Sequence, residues 1–182
     1  MSPDTPVTSS ATALLCPAAI LMIRLRPYRP DDGPRLLHLF RDTIRRVNIR
    51  DYPASQITAW ASDEIDASAW CRRFEDRFVV VAEDSSEPPR VAGFAELEPD
   101  GHIDRVYVSA DHQRQGVGRA MLQAILAEAE RQGLERLFVE ASLTALPFFE
   151  SLGFSTIARQ TVECRGERLV NVRMEWLRSE TL

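Results

Sequence analysis

The 182 residues carry a formal net charge of -5, and every one of the 22 cationic Lys or Arg positions is arginine. Without lysine the chain has no P-loop lysine, no Schiff-base nucleophile and no anchor for pyridoxal phosphate, biotin or lipoate, so cationic work falls to arginine. The negative balance gives no global field toward nucleic acid or an anionic membrane, and three scattered cysteines (Cys16, Cys71, Cys164) exclude a disulfide framework or a cysteine metal cluster and fit a reduced, cytoplasmic chain.

Residues 1–21 are rich in Ser, Thr, Pro and Ala and read as a poorly ordered tail, and the apolar patch Leu14 to Ile23 is too short to span a bilayer. The regular pattern starts at Met22, itself a candidate initiator, and residues 22–182 read as one domain. Ile23 to Tyr28 alternates like a strand. Asp31 and Asp32 ahead of Pro34 signal a helix over Arg35 to Arg46 that buries Leu36, Leu37, Leu39, Phe40 and Ile44. Two short helices follow, Asp51 to Ala61 entered through Pro53 and Ala67 to Phe74, with Trp60 and Trp70 turned inward. Strands are expected over Arg77 to Glu83, Val91 to Glu98 and His102 to Val108. From Val117 to Gln132 apolar residues recur at helical spacing, with Gly133 placed as a C-terminal cap. Leu137 to Glu140 reads as a strand, Thr144 to Leu152 as a helix capped by Thr144 and stopped by Gly153, and Phe154 to Glu163 with Arg168 to Trp176 as a closing hairpin. This order predicts a single α/β domain, α+β in character: a mixed, mostly antiparallel sheet of seven strands flanked by helices, with one parallel strand-helix-strand crossover.

The stretch Val106-Tyr-Val-Ser-Ala-Asp-His-Gln-Arg-Gln-Gly-Val-Gly-Arg-Ala120 places a polar turn and two glycines between a strand and a long helix. Gly116 and Gly118 let backbone approach a ligand, successive N–H groups form a nest, and the helix N-terminus adds roughly half a positive charge. Arg114 and Arg119 flank this anion cradle; a tight turn with two surface arginines is the plainer reading of the glycine spacing alone. A dinucleotide fingerprint needs a third glycine where Met121 stands.

Gln113-Arg-Gln-Gly-Val-Gly118 fits the Q/R-x-x-G-x-G/A motif, and with Phe148-Phe-Glu-Ser-Leu-Gly-Phe154 the chain from about Ile23 to Trp176 resembles the GNAT superfamily of N-acetyltransferases. The runs Glu140 to Phe149 and Val162 to Gly166 are similar to a subgroup of small bacterial acetyltransferases. The resemblance implies acetyl-CoA as co-substrate, no metal, and transfer of acetyl to a primary amine of a small molecule or peptide. It also implies that backbone groups of Val106, Tyr107 and Val108 meet the pantetheine arm, that Gln113, Arg114, Gln115, Gly116, Val117, Gly118 and Arg119 hold the pyrophosphate, and that the sheet splays after this strand. Ser142 stands where many relatives have a cofactor-contacting asparagine, and Phe149 where many have the tyrosine that protonates the thiolate.

Phe149 has no proton to give, so another donor, water or direct thiolate release must take its place. Strand alternation would put His102, Asp104, Val106 and Val108 on one face and Tyr107 on the other. His102 titrates near neutrality and occupies the position of a glutamate base in some family members; Asp104 is the second candidate base, with Glu96 behind it, and Tyr52 in the helical insertion is the candidate acid. Each has a plain structural reading as turn residue, strand carboxylate or packing partner of Trp60. The rival function is a catalytically weak acetyl-CoA sensor. Negative charge mildly favours a cationic amine, and exposed apolar residues on the closing hairpin would suit a homodimer.

Overall fold

The computed structural model describes residues 22–178. Seven strands and five helices run in the order β1 (Arg24–Pro27), α1 (Gly33–Arg46), α2 (Ala54–Trp60), α3 (Ala67–Arg72), β2 (Phe78–Glu83), β3 (Val91–Leu97), β4 (Arg105–Val108), α4 (Val117–Arg131), β5 (Arg136–Ser142), α5 (Leu146–Glu150), β6 (Ser155–Cys164) and β7 (Glu167–Leu177). The expected tail lies outside the described residues.

Period-two burial decides the layers. In β2, Val80 and Ala82 face one core and Val79 and Val81 the other, so the strand reads as an unbroken apolar run because both its faces are covered. On the first face Met121, Leu122 and Ile125 of α4 pack against Ala95 and Leu97 of β3 and Val139 of β5. On the second, α1 and α3 bring Leu36, Phe40 and Trp70 onto Phe94. All five residues expected to be buried by α1 are buried, and Gly133, at φ 73°, ends α4.

The strands form two antiparallel sheets, ordered β1-β2-β3-β4 and β5-β7-β6. They are joined by one parallel bridge between His102 and Phe138, in which Ile103 N–H donates to Phe138 O at 2.8 Å and Phe138 N–H to Gly101 O at 3.1 Å. Beyond it β4 and β5 part.

Three local expectations change. The strand expected from His102 begins only at Arg105, because Asp100 accepts a bond from His102 N–H at 3.0 Å and Ile103 is turned across to β5. The helix expected from Arg35 starts at Gly33, directly after Asp32, whose carboxylate is spent on Arg26 at 2.7 Å and on Arg29 N–H at 2.8 Å rather than on the first-turn N–H groups. Ala145, not Thr144, precedes α5, since Thr144 Oγ1 donates to Asp51 at 2.6 Å.

Candidate active site

The cradle is built by the turn between β4 and α4. Arg114 sits at φ 62° and Gly116 at φ 83°, a conformation in which glycine escapes the usual Cβ cost, and no atom lies within 4 Å of a Cβ built on Gly116. Gly118 differs: a Cβ there would lie 3.1 Å from the Phe148 ring, a tight contact that glycine avoids. The first-turn N–H groups of α4, Val117 to Arg119, have no partner within the helix and open beside Gly116. Arg114 and Arg119 are exposed, and neither has a hydrogen bond or ion pair among the described residues, leaving both guanidiniums available to an anion. Gln113 and Gln115 point elsewhere. Gln113 Nε2 donates to Val108 O at 2.7 Å and Gln115 Nε2 to Asp111 O at 3.1 Å, bracing the loop from within. The loop is further pinned by buried His112, whose Nε2 lies 3.2 Å from Asp84, a carboxylate that also holds Ser86 and Arg90.

Ser109 N–H donates to Ala92 O on β3 at 2.8 Å, so by alternation Val106 and Val108 turn their backbone groups to the open edge facing β5. Thr43 Oγ1 and Gln113 already occupy the Val108 carbonyl, which leaves its N–H as the group presented to the gap.

Where the gap widens there is a cavity of about 580 Å³ bounded by Tyr52 and Trp60, Trp70, Asp104 with Arg105 and Tyr107, and Glu140 with Ser142 and Asn171. Tyr107 thus shares the cavity with Asp104, rather than facing away from it as the alternation implied. Its phenol has no hydrogen-bond partner among the described residues, and burial pushes its pKa up. Tyr52 is buried at the cavity wall with its hydroxyl saturated: it donates to Val170 O at 2.7 Å and accepts from Leu143 N–H at 2.9 Å. Ser142 Oγ accepts from Ala145 N–H at 3.1 Å, and Phe149 is buried between Phe148 and Phe154.

His102 does not line the cavity. Stacked on Phe138, it holds Nδ1 3.2 Å from Glu98 and Nε2 2.7 Å from Glu140. Burial works against its charged form, but the bonds to Glu140 and Glu98 outweigh that and raise its pKa above the usual 6.5. Asp104 is gripped by Arg73, by Arg77 at 2.7 Å and by Arg105 at 3.0 Å. Burial alone would raise its carboxyl; Arg105, Arg73 and Arg77 prevail and hold it below the usual range. Behind it Glu96, sealed from water, meets Arg77 at 2.9 Å. Sequence reasoning passed over Glu98, Glu140, Arg77 and Arg105, and its reading of Arg73 as a surface partner of Glu75 and Asp76 is corrected by the contacts of Arg73 with Glu96 and Asp104. The period-two pattern from Glu98 through Asp100 to His102 was a signal for the first, but contact with Glu140 depends on a bridge between strands separated by a whole helix.

A family model described as an acetyltransferase (GNAT) domain matches residues 48–177. The uncharacterized N-acetyltransferase YafP of Escherichia coli is 35% identical over 155 residues, covering 85% of this chain and 95% of that protein. A GCN5-related N-acetyltransferase from Rhodopseudomonas palustris superposes with a TM-score of 0.78 at 33% identity, over 85% of this chain and 94% of its own. YncA from Salmonella typhimurium, solved with its cofactor acetyl-CoA, shares the fold at a TM-score of 0.65 and 19% identity, over 88% of this chain and 96% of its own.

Proposed function

The chain belongs to the GNAT acetyltransferase family, and on that premise we propose that it transfers an acetyl group from acetyl-CoA to a primary amine held in the cavity between its two sheets. The observation that carries this reading is the unpaired edge of β4, which leads from the anion cradle at the start of α4 to the cavity. In it, Arg114, Arg119 and the first N–H groups of α4 bind the pyrophosphate, and the outward backbone of Val106 and Val108 meets the pantetheine arm, Val108 N–H polarising the thioester carbonyl. The cofactor's thioester then faces the cavity that receives the amine.

The amine must lose a proton before it can attack, and His102 is the base in this reading. Asp104 is the poorer base, because three guanidiniums stabilise its ionised form. The thiolate leaves as such or takes its proton from water: Phe149 has none to give, and Tyr52 commits its own to Val170 O. Calorimetry should detect acetyl-CoA binding, and thiol release should follow from at least one member of a panel of primary amines. Binding without thiol release across the panel would sink the catalytic reading. In the active case His102→Ala should abolish the acidic limb of the pH-rate profile; a variant that keeps the wild-type limb removes His102 from the mechanism.

A further inference from the structure

Resting on the acetyl-transfer reading, we propose that Glu140 is the catalytic residue that takes the acceptor amine's proton and hands it to His102, with Glu98 as a positioning residue that fixes the imidazole. Glu140 lines the acceptor cavity and His102 does not, so a proton leaving the cavity for His102 crosses the Glu140 carboxylate. That carboxylate lies 2.7 Å from Nε2, within direct transfer distance, and Glu98 lies 3.2 Å from Nδ1 on the far side of the ring.

The proton balance closes. The relay starts from neutral His102 in the tautomer that donates Nδ1–H to Glu98 and leaves Nε2 bare toward Glu140. The acceptor R–NH3+ gives one proton to the Glu140 carboxylate, which passes it to Nε2; Glu140 returns to its anion and His102 becomes an imidazolium bonded at both ends. The freed amine attacks the thioester carbonyl, the C–S bond breaks as the C–N bond forms, and the remaining ammonium-type proton is lost to solvent or to the departing thiolate. Deprotonation of His102 to solvent resets the site.

The surroundings favour that transfer. Arg77 joins Glu98 at 2.6 Å, Glu96 at 2.9 Å and Asp104 at 2.7 Å, so the relay is continuous with the arginine cluster at the cavity floor. Counted formally, the carboxylates Glu96, Glu98 and Asp104 meet the three guanidiniums of Arg73, Arg77 and Arg105, while Glu140 has no guanidinium partner among the described residues; a proton on His102 supplies its counter-charge. Asp100 accepts from the backbone N–H of His102, and Phe138 stacks on the imidazole with Arg136 over the phenyl ring. A metal explains the cluster less well: each carboxylate addresses its own ring nitrogen, and no His, Cys, Asp and Glu group among the described residues has the arrangement to hold an ion.

Imidazole 15N spectra of the wild-type protein across pH test the geometry without any acceptor. The expected neutral form carries its proton on Nδ1, and a neutral form protonated on Nε2 overturns the relay. Kinetics test the chemistry, using the amine that gives the fastest thiol release. Glu140→Gln should lower kcat by roughly a hundredfold, the size of a lost acid-base contribution, with KM for acetyl-CoA unchanged. Glu98→Gln should keep kcat at the alkaline plateau while moving the acidic limb to lower pH. A Glu140→Gln enzyme with wild-type kcat at the plateau overturns the relay but leaves acetyl transfer standing, whereas a wild-type protein that acetylates no amine overturns both.

Discussion

Tyr52 shows how one hydroxyl can belong to structure and site together. It lies at the cavity wall, edge-on to Trp60 at 5.4 Å, yet its donor and acceptor capacity is used in tying β7 to the end of β5 through Val170 O and Leu143 N–H. A proton committed to a backbone carbonyl must be replaced there before it can move to a thiolate. Tyr52→Phe should therefore act on stability: it leaves a buried carbonyl and N–H unpaired, a loss of about 1–3 kcal/mol by denaturant unfolding. Turnover should stay within severalfold of wild type. A fall of roughly a hundredfold at unchanged stability would instead make Tyr52 the acid. The sequence put Tyr52 in the right insertion and beside the right tryptophan, since helical spacing carries that much. Hydrogen-bond partners 91 and 118 residues away leave no trace in local pattern.

The turn into α4 is the element whose form was most legible, because its signals are local: two glycines, a helix start and flanking arginines all lie within seven residues of sequence. The structure separates their duties, with Gly116 supplying a left-handed conformation and Gly118 room for Phe148. Arg114→Ala and Arg119→Ala should each weaken acetyl-CoA binding, by about 1.5–3 kcal/mol for a lost charge-assisted bond, or roughly ten- to a hundredfold in Kd. The remaining affinity should become less salt-dependent, since fewer charges are screened. Calorimetry at two salt concentrations reads both effects; an unchanged Kd in the double variant would place the pyrophosphate elsewhere. Gly118→Ala gains about 1 kcal/mol of helix propensity but sets a methyl 3.1 Å from the Phe148 ring, so its net effect on denaturant unfolding should stay within about 1 kcal/mol of wild type. By contrast β4 was misread at its start. His102 and Asp104 continue an acceptable alternating pattern, and only pairing across to Phe138 reveals that His102 bridges two sheets rather than extending one.

At the scale of the molecule, order and type of elements were readable from periodicity, but the division into two sheets was not, because it depends on which strand edges stay unpaired. That division gives His102 a structural role, since its ring links Glu98 at the start of the first sheet's β3–β4 turn to Glu140 of the second sheet. Its folded pKa is raised, so its ionic contribution to stability is fully present below the unfolded value of 6.5 and is lost as pH rises through the folded value. The stability difference between wild type and His102→Ala should therefore shrink on alkalinisation through that range; a difference independent of pH would show that packing on Phe138 alone is at stake.

The same architecture makes a prediction about ligand binding. With β4 and β5 parted beyond the bridge, acetyl-CoA entering the gap would supply the strand-like partner that the β4 edge lacks, and binding to the folded chain alone would stabilise it by about 2.7 kcal/mol at a hundredfold excess over Kd. The two effects are separable by position. Global stabilisation slows amide exchange wherever exchange requires full unfolding, but a backbone bond to the pantetheine arm protects particular open-edge amides that otherwise exchange by local opening. Added acetyl-CoA should slow exchange at Val106 and Val108 and through Val117 to Arg119, while the exposed β6 edge beyond β7 keeps its ligand-free rate. Uniform slowing without a local maximum at β4 and the start of α4 would argue that the cofactor does not occupy the gap.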